Sequence, residues 1–343
     1  MAVEVQTIAS AEIKPIFSRG TSNSQALGTM HEDAHTFFDF PIQSYSMPYH
    51  SSALDVAPNY SGHSGQIDTQ MRHRQDLSTW TFDVSFFGTV QAILSNCLWA
   101  FGDGASAAEL TPAIGIGNGV AGDMQMKHGV ASKNHATVIF RNGGTDATAE
   151  DLTVVGAVIQ SMTIKMDVGA NAGQMTCDST FWTAYQPKEE ANAIASNITI
   201  DSSNAVKSIF DLTAAAITLN SEEIVPTSWE ITISRSLERV GSQTYATTFL
   251  PFAYVQTGAW EVTGSLNVKA DDNTYDLTED GAMKGDSTGY ALVIAGSGLT
   301  ISCPTIMIDN ATLDNGGSFL THTIPFRAFA ASTTANIISI TIS

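Results

Sequence analysis

Residues 151–184 carry the pattern that most constrains the fold of this chain. From Val158 to Lys165 apolar residues alternate with polar ones, a glycine-rich run follows at 169–173, and a second apolar run ends in Trp182. Alternation with a period of two predicts a strand with one buried face, and a glycine-rich interruption between two such runs predicts a hairpin turn. The stretch is therefore predicted to be a strand, a turn and a strand, which favours a mainly β fold.

This hairpin pattern recurs near the C-terminus. At an offset of 147 residues the stretch shares seven identical residues with 298–331, where about two or three would be expected by chance at average composition. The identical pairs are Leu152 and Leu299, Thr153 and Thr300, Ile159 and Ile306, Asp167 and Asp314, Gly169 and Gly316, Thr176 and Thr323, and Ala184 and Ala331. Residues 80–86 match 260–266 at an offset of 180, so the first copy is predicted to carry an insertion of 33 residues, for which the glycine-rich segment 105–134 is the candidate.

Two related β modules in one chain follow from this repeat. Residues 41–190 are predicted to form the first module, with the insertion loop 105–134, and residues 191–343 the second. Two modules of this size fit the usual range for a domain. Residues 1–40 show little periodicity, so they are predicted to be an N-terminal arm that docks on something else.

One segment has the spacing of a helix. Thr89 is a residue type that caps helix N-termini, apolar residues follow at helical spacing over Val90–Phe101, and Gly102 ends the pattern. The second module has a shorter, glycine-broken segment at 277–292 in its place, and residues 235–243 are predicted to be a polar turn or loop. Strands are predicted at 78–87, 137–140, 216–219, 229–234, 260–269, 299–308, 319–330 and 336–342, with turns at 220–222 and 271–273.

The charge balance excludes one class of function. The 34 acidic residues outnumber the 15 basic ones, for a formal charge of −19. Tight or sequence-reading nucleic-acid binding needs clustered Lys and Arg to neutralise phosphates. Such a balance suits a surface that nucleic acid must pass without sticking.

The three cysteines form no recognisable framework. Cys97, Cys177 and Cys303 are widely separated and make no disulfide pattern and no CxxC motif. Cys177 lies in a strand pattern and is predicted to be a small buried apolar residue, so assembly in a reducing cytoplasm is expected. The N-terminus has no basic region before an apolar core and no run of 18 apolar residues occurs, so a soluble protein without a Sec-type signal or membrane span is predicted.

One motif has the spacing of a zinc site. His31, Glu32 and His35 match HExxH, which on a helix places two imidazoles on one face to bind zinc, with the Glu as general base. No apolar helical face surrounds the motif, so a loop with two solvated histidines is the preferred interpretation.

Three further groups are weighed against simpler interpretations. Gly117, Gly119 and Gly122 match GxGxxG without the flanking strand and helix that a dinucleotide site needs. A basic patch is favoured as a partner for acids on a neighbouring subunit over a phosphate site, and an acidic turn is favoured over a calcium site. The patch consists of His63, Arg72, His73 and Arg74, and the turn of Asp271, Asp272, Asn273 and Asp276. No catalytic, cofactor-binding or metal-binding residue is assigned, and no enzyme activity is expected.

The order of these segments resembles a known family. The residues that carry the resemblance are a strand pair, the helix Val90–Phe101, the segments 156–169 and 226–238, the strand at 262–266 and the closing 326–329. Together, over roughly residues 40–335, they resemble the major tail tube proteins of phages and related tailed viruses with long, flexible, non-contractile tails.

The resemblance implies a fold and a function. It implies β-sandwich or β-barrel modules, each with a flanking helix or short helical segment and long loops, as in tube proteins of contractile tails and type VI secretion systems. Six such modules close a ring, rings stack into the viral tail tube, and the genome passes through the bore. Two modules in one chain would then make a ring of three chains with pseudo-sixfold symmetry. Residues 1–40 and 105–134 are predicted to reach the adjacent ring or a neighbouring subunit, and a chain without 105–134 is predicted to fold but not to stack.

The resemblance also implies partners and a location. The expected partners are further copies of the chain, the tape measure protein, the tail terminator, and the distal tail or baseplate proteins. Viral double-stranded DNA is expected to pass through the lumen without sequence-specific binding, and the protein is expected in the virion tail after assembly in the host cytoplasm. The alternative is a virion or cell-surface β-sandwich that serves in adhesion or carbohydrate binding through exposed Tyr and Trp.

Overall fold

The fold is mainly β, as predicted. The computed structural model describes residues 13–19, 25–30, 36–48, 53–56, 71–74, 79–101, 114–116, 125–132, 135–142, 150–191, 199–201, 217–245, 248–271, 274, 289–296, 299–316, 320–330, 332 and 335–342. These contain the helix α1 (Val90–Phe101), a 3-10 turn (Asn171–Gly173) and the strands β1 (Ile13–Arg19), β2 (Gln25–Ala26), β3 (Thr36–Phe38), β4 (Ile42–Tyr45), β5 (Ala53–Val56), β6 (Met71–Arg74), β7 (Trp80–Phe87), β8 (Ile114–Ile116), β9 (Gln125–Lys127), β10 (Ala131–Ser132), β11 (Ala136–Asn142), β12 (Glu150–Asp167), β13 (Thr176–Thr183), β14 (Lys188–Ala191), β15 (Thr199–Asp201), β16 (Ile217–Leu219), β17 (Glu222–Glu223), β18 (Pro226–Ser234), β19 (Leu237–Tyr245), β20 (Thr248–Gln256), β21 (Glu261–Lys269), β22 (Tyr290–Gly296), β23 (Leu299–Ile308), β24 (Thr312–Asp314), β25 (Thr321–Ala328) and β26 (Ile338–Ile342).

The first half of the chain is a sandwich whose two sheets share the long strand β12. One sheet has the order β4-β7-β13-β12, and the other has the order β1-β11-β12-β14. The pairing register of β12 shifts between Ile159 and Ser161, and such a bulge bends a strand so that it can leave one sheet and enter another. Rings from both sheets meet in the core, where the centroids of Phe82 and Phe140 lie 5.6 Å apart and those of Phe17 and Phe86 lie 5.1 Å apart.

The second half repeats this arrangement. Its sheets have the orders β18-β21-β25-β24 and β16-β22-β23-β26, with β23 also pairing β25. The registers coincide as well. Adding 147 to both members of the pair Ile159–Phe181 gives Ile306–Ala328, which is also a pair. Beyond the bulge, Lys165–Thr176 and Thr312–Thr323 are related in the same way, and adding 147 to Cys177 and 180 to its partner Phe86 gives the pair Ile324–Leu266.

The predicted helix is confirmed and covers the core of the first half. The Thr89 hydroxyl accepts a hydrogen bond from the N–H of Ala92 at 3.0 Å, which satisfies one of the free donors of the first turn. Inside the sandwich, the Ser179 hydroxyl donates to Asn96 Oδ1 at 2.8 Å, and the Trp99 indole N–H donates to the Ser18 carbonyl at 3.0 Å. These bonds fix the helix against both sheets.

Several predicted strands and turns are also confirmed. The hairpin at 151–184 consists of β12, the 3-10 turn and β13, and the turn at 220–222 has Asn220 and Ser221 at φ 52 and 69. Two consecutive residues in the left-handed region are typical of the tight hairpin turn.

The prediction that residues 1–40 dock elsewhere is wrong for the described part of this segment. Strand β1 pairs with β11 and β3 of the same chain, Phe17 is fully buried, and the Ser18 hydroxyl accepts the N–H of Thr137 at 2.7 Å. Four consecutive residues of β1, from Pro15 to Ser18, are buried. A strand buried on both faces has no polar alternation, so periodicity could not reveal it. Residues 1–12, 20–24 and 31–35 lie outside the described residues.

The prediction of a polar loop at 235–243 is also wrong. Strands β19 and β20 form an antiparallel hairpin, and β9 adds a third strand. The side chains of β19 alternate between partly buried Leu237 and Arg239 and exposed Glu238 and Val240, so the strand pattern is present in burial but not in hydrophobicity.

Tyr254 connects this hairpin to the sandwich through hydrogen bonds and ring packing. The Tyr254 hydroxyl donates to the carbonyl of Gly156 and accepts the N–H of Ala184, each at 3.2 Å, and its ring packs edge-on against Trp182 at 4.7 Å. Leu27, Met126 and Tyr185 complete this second, smaller core.

The predicted role of the insertion needs correction. Its described strands β8, β9 and β10 pair with β26, β20 and β2 of the same chain, so these parts belong to the sheets of their own chain. Met126 is 3% exposed, and deletion of 105–134 would therefore remove part of a core rather than a free loop. Residues 105–113, 117–124 and 133–134 lie outside the described residues.

Candidate assembly surface

Eight strands from both halves join into one continuous sheet within the described residues. Strand β12 pairs with β18, so the order across the chain is β4-β7-β13-β12-β18-β21-β25-β24. We call this the eight-stranded sheet. One of its faces is the apolar core and the other, which we call the polar face, is lined mainly by hydroxyl, amide and charged side chains.

Strict alternation along the strands produces the polar face. In β18 the side chains of Trp229, Ile231 and Ile233 are buried, whereas Glu230 and Thr232 point to the opposite side. Because successive side chains of a strand point to opposite faces, each such strand contributes one apolar and one polar row.

Side-chain hydrogen bonds connect the strands across the polar face from β4 to β25. They join each neighbouring pair of strands in turn and so hold the short polar side chains in one arrangement. The bonds are Ser85 to Gln43 at 3.5 Å, Ser85 to Asp178 at 2.5 Å, Thr180 to Asp83 at 2.7 Å, the ion pair Lys165–Asp178 at 2.5 Å, Thr163 with Thr232 at 2.8 Å, Ser265 to Glu230 at 3.3 Å, Asn267 to Ser228 at 2.7 Å and Thr323 to Asn267 at 2.7 Å.

The polar face carries an excess of negative charge. Its described charged side chains are the six acids Asp83, Asp167, Asp178, Glu230, Glu261 and Asp314 and the three bases Lys165, Lys269 and Arg327. Six negative and three positive charges leave an excess of three negative charges, so the face as a whole disfavours polyanions.

The pairing of β12 with β18, which we call the internal junction, joins the two halves. Met162, Ile164 and Met166 of β12 are 0%, 0% and 2% exposed and face the core beside the inward side chains of β18. Their burial closes the open side of the second sandwich, because side chains from a strand of the first half complete its core.

A buried arginine marks one end of the internal junction. Arg235 is 6% exposed, and burial lowers its pKa to about 9. Its backbone N–H donates to the Gln160 carbonyl at 2.9 Å and its Nε to the Ile159 carbonyl at 3.0 Å. Its guanidinium lies 4.6 Å from the ring centroid of Trp260. The carbonyl and the aromatic face offset part of the cost of burying the charge.

The outer edges of the eight-stranded sheet are open in the described residues. No described strand pairs with the second edge of β4, and none pairs with the outer side of residues 308–314. We call the outer side of residues 308–314 the donor edge. On the donor edge Leu313 is 46% exposed, although Met166, its counterpart at an offset of 147, is 2% exposed. An apolar side chain at a core-facing position is thus left uncovered.

A groove lies beside the other open edge. It has a volume of about 770 Å³ and runs between the start of β1 and β4, where the two sheets of the first sandwich diverge. Its apolar lining consists of Ile13, Pro15, Phe40, Pro41, Ile42, Tyr45 and Met47, and its polar lining of Lys14, Gln43 and Ser44. We call it the acceptor groove.

Exposed apolar side chains also gather along one end of the eight-stranded sheet. Val168, Val225 and Leu320 are 47%, 58% and 49% exposed. The Val168 N–H donates to the carbonyl of Thr227 in the neighbouring strand, and the Ala270 N–H donates to the carbonyl of Leu320. We call this end the turn rim, because the turns after β12 and β24 also lie on it.

Most residues of the sequence motifs lie outside the described residues. This holds for His31, Glu32 and His35 of the HExxH match, for Gly117, Gly119 and Gly122, and for His63. Arg72, His73 and Arg74 lie in β6, whose backbone pairs with β5.

The acidic turn is described only at Asp271 and Thr274. The Asp271 carboxylate accepts the N–H of Thr274 at 2.8 Å, and Asp272, Asn273 and Asp276 lie outside the described residues. Within the described ranges no group of three or more His, Cys, Asp or Glu side chains could hold a metal ion. No helix among those residues is long and apolar enough to cross a membrane.

The cysteines are free and buried. Burial raises the pKa of Cys177 and of Cys303 to about 12, and it also raises that of Cys97. A thiol needs its thiolate form to react, so these side chains are chemically quiet in the folded chain.

The described aromatic residues do not favour a sugar-binding surface. The Trp and Tyr side chains that the structure describes, which leave out Tyr49, Tyr60, Tyr245 and Tyr275, are all buried or partly buried. Sequence reasoning missed Leu313, Arg235 and Tyr254; the repeat offset could have found Leu313, because it aligns this residue with Met166, whereas the other two carry no periodic signal.

The eight-stranded sheet lies within the part of the chain that matches a known protein family. The phage tail tube protein family matches residues 38–328, a segment that contains the whole eight-stranded sheet from β4 to β25, and no curated protein matches the chain. The match covers well over half of the 343 residues. The chain therefore belongs to the phage tail tube protein family.

Proposed function

We propose that the chain consists of two tandem copies of one tube module and that three chains close a ring of six modules. The matching registers of the two halves support the tandem copies, with the first module beginning at β1 rather than at residue 41. The internal junction already joins two modules edge to edge. Because both outer edges of the sheet are open within the described part of the chain, repeating the junction adds modules head to tail until the ring closes.

In this ring the polar face lines the bore. Its opposite face is the apolar core, and the eight-stranded sheet is the sheet that continues from one half to the other, so its polar face is the surface that a closed ring would extend around a lumen. An excess of three negative charges repels phosphate, and hydroxyl groups that are already hydrogen-bonded to neighbouring side chains offer DNA few places to bind. Double-stranded DNA would slide through such a bore without sequence-specific contacts.

Rings stack through the turn rim. Val168, Val225 and Leu320 are apolar and exposed at one end of the sheet, and burial against the next ring would remove them from water. The resulting tube is a structural conduit for genome delivery with no catalytic role. The tape measure, tail terminator and distal tail or baseplate proteins are its proposed partners, and assembly in the host cytoplasm precedes its incorporation into the virion.

The observation that carries the proposal is the continuous eight-stranded sheet with two open edges in a member of this family. Electron microscopy of the purified protein tests it. Tubes built from rings of three chains are expected. Rings of six chains would contradict the tandem modules, and monodisperse single chains at high concentration would contradict the tube.

Thiol labelling tests which face lines the bore. Thr81 is exposed on the polar face and Glu222 is exposed in β17, on the opposite sheet. A Thr81→Cys variant should react with a bulky maleimide before assembly and be protected in tubes, whereas Glu222→Cys should react in both states. Equal labelling of Thr81→Cys in tubes would place the polar face outside.

A further inference from the structure

We infer that the donor edge of one chain enters the acceptor groove of the next in the register that the internal junction already displays. The occupant is a second copy of this chain, so the inference rests on the proposed ring and adds the residues that meet. At the internal junction Met166 pairs with Trp229, Lys165 with Glu230 and Ile164 with Ile231. The donor-edge counterparts of the β12 residues, at an offset of 147, are Leu313, Thr312 and Ala311.

The counterparts of β18 on the acceptor side follow from shared partners. Ser44 pairs with Ser85 as Glu230 pairs with Ser265, and Ser85 and Ser265 are themselves related by the offset of 180. Ser44 therefore corresponds to Glu230.

The same comparison gives the two neighbouring positions. Tyr45, paired with Val84, corresponds to Ile231, paired with Gly264. Ile42, paired with Phe86, corresponds to Trp229, paired with Leu266.

These correspondences define the pairs between chains. Thr312 lies opposite Ser44, Ala311 opposite Tyr45 and Leu313 opposite Ile42 of the next chain. The register of β4 shifts between Ile42 and Ser44, so a bulge at Gln43 accommodates the extra residue.

The chemistry of both edges fits this register. Leu313 and Ala311 take the inward places that Met166 and Ile164 occupy in the internal junction, and Ile42, Tyr45 and Met47 line the groove that would receive them. The outward residues Thr312 and Ser44 are polar and exposed, so they remain on the polar face. The side of the first sandwich that is open in one chain is thus closed by the next chain, as β12 closes the second sandwich.

A pair of cysteines tests the register. Directly opposed antiparallel residues have Cα atoms about 4.5–5.5 Å apart, within the range that a disulfide spans. The Ser44→Cys/Thr312→Cys chain should form disulfide-linked dimers and trimers after oxidation of assembled rings, read on a non-reducing gel. Either single variant should stay monomeric on the gel, because the native cysteines are buried.

A slipped pair provides the matched control. Ser44→Cys with Asp314→Cys shifts one partner by two residues on the same face of β24 and should cross-link at least about fivefold less, since diagonal neighbours exceed the usual disulfide span. Equal or stronger cross-linking of the slipped pair overturns the proposed register. Assembled rings without the matched cross-link overturn it too but leave the proposed tube intact, whereas a wild-type chain that forms no ring overturns the tube and the pairing together.

A second variant tests the insertion of the Leu313 side chain. Leu313→Asp should prevent ring closure and leave single chains in sedimentation, because burying a carboxylate against Ile42 and Met47 is costly and Lys14 of the groove is already paired with Asp39. Val225→Asp, at an exposed apolar site on the turn rim, should still form rings. Rings of normal size from Leu313→Asp would contradict the insertion of this side chain.

Discussion

The two halves of the chain carry the same strand register but fill their cores differently. In the first half Phe82, Phe86 and Phe181 pack together, and the rings of Phe82 and Phe181 stack at 5.0 Å. The residues at the corresponding pairing positions of the second half are Val262, Leu266 and Ala328. The first core therefore has aromatic rings at these positions and holds a helix, whereas the second has aliphatic side chains there and is closed by a neighbouring strand.

One pair of opposed positions shows how the two cores keep a similar side-chain volume with different residues. Val84 pairs with Ser179 in the first half, and Gly264 pairs with Phe326 at the same register in the second. The Ser179 hydroxyl bonds to α1 through Asn96, whereas a Cβ on Gly264 would lie 2.4 Å from the Phe326 ring. A small residue opposite a large one replaces two of intermediate size, which keeps the volume of the layer.

The comparison shows that the two halves keep the same strand register although most of their side chains differ. Alternation and hydrogen bonding set which residues face each other, and cores accept different side chains when the total volume is preserved. The repeat is therefore clear in the pairing of the strands and faint in the amino acids.

The largest effect is expected from truncation in the aromatic core. Phe82→Ala should cost about 3–5 kcal/mol of unfolding free energy, because it leaves a large cavity beside Phe181 and Phe140. The matched change Val262→Ala should cost about 2 kcal/mol, since it removes less apolar volume. Urea denaturation measures both, and equal losses would show that the two cores are not filled differently.

The next largest effect is expected at the close contact in the second half. Gly264→Ala should cost about 2–3 kcal/mol, because the added methyl meets the Phe326 ring and the Glu230 carbonyl, each at 2.4 Å. Gly258→Ala is the control, since a Cβ there meets nothing within 4 Å. Unchanged thermal stability of the Gly264 variant would contradict the volume exchange.

A smaller effect is expected where the helix of the first half is attached. Asn96→Ala removes buried hydrogen bonds to Ser179 and to the Ala92 carbonyl and should cost about 1–3 kcal/mol. A double-mutant cycle with Ser179→Ala should give a coupling energy of at least about 0.5 kcal/mol. Additive losses would mean that this bond does not hold the helix.

The smallest effect is expected at the two repeated turns. Asp167 accepts the N–H of Gly169 at 2.7 Å, and Asp314 accepts that of Gly316 at 2.8 Å. Asp167→Ala and Asp314→Ala should each cost about 0.5–1 kcal/mol and agree within a few tenths of that unit. A clear difference in melting temperature between the two variants would break the equivalence of the turns.

Much of the fold could be predicted wherever one face of an element is wet. The helix with its Thr89 cap, the β12–β13 hairpin and the strand β23 follow from period and capping residues alone. Strand β1 was not predicted because both of its faces are buried, and β19 was not predicted because its side chains are mostly polar. The candidate surface could be predicted from the sequence only in part, since the repeat related Asp167 to Asp314 but could not place either residue on a sheet edge.

The amino-acid sequence by itself determined the β class, the helix and the acidic balance and predicted two related halves, because these depend on local period, composition and spacing. Only the tertiary structure decided that β12 of one half pairs with β18 of the other, that acids gather on one polar face, and that Leu313 is uncovered where Met166 is buried. These facts depend on which strands become neighbours. That choice is made by long-range pairing and core packing, which no local stretch of sequence contains.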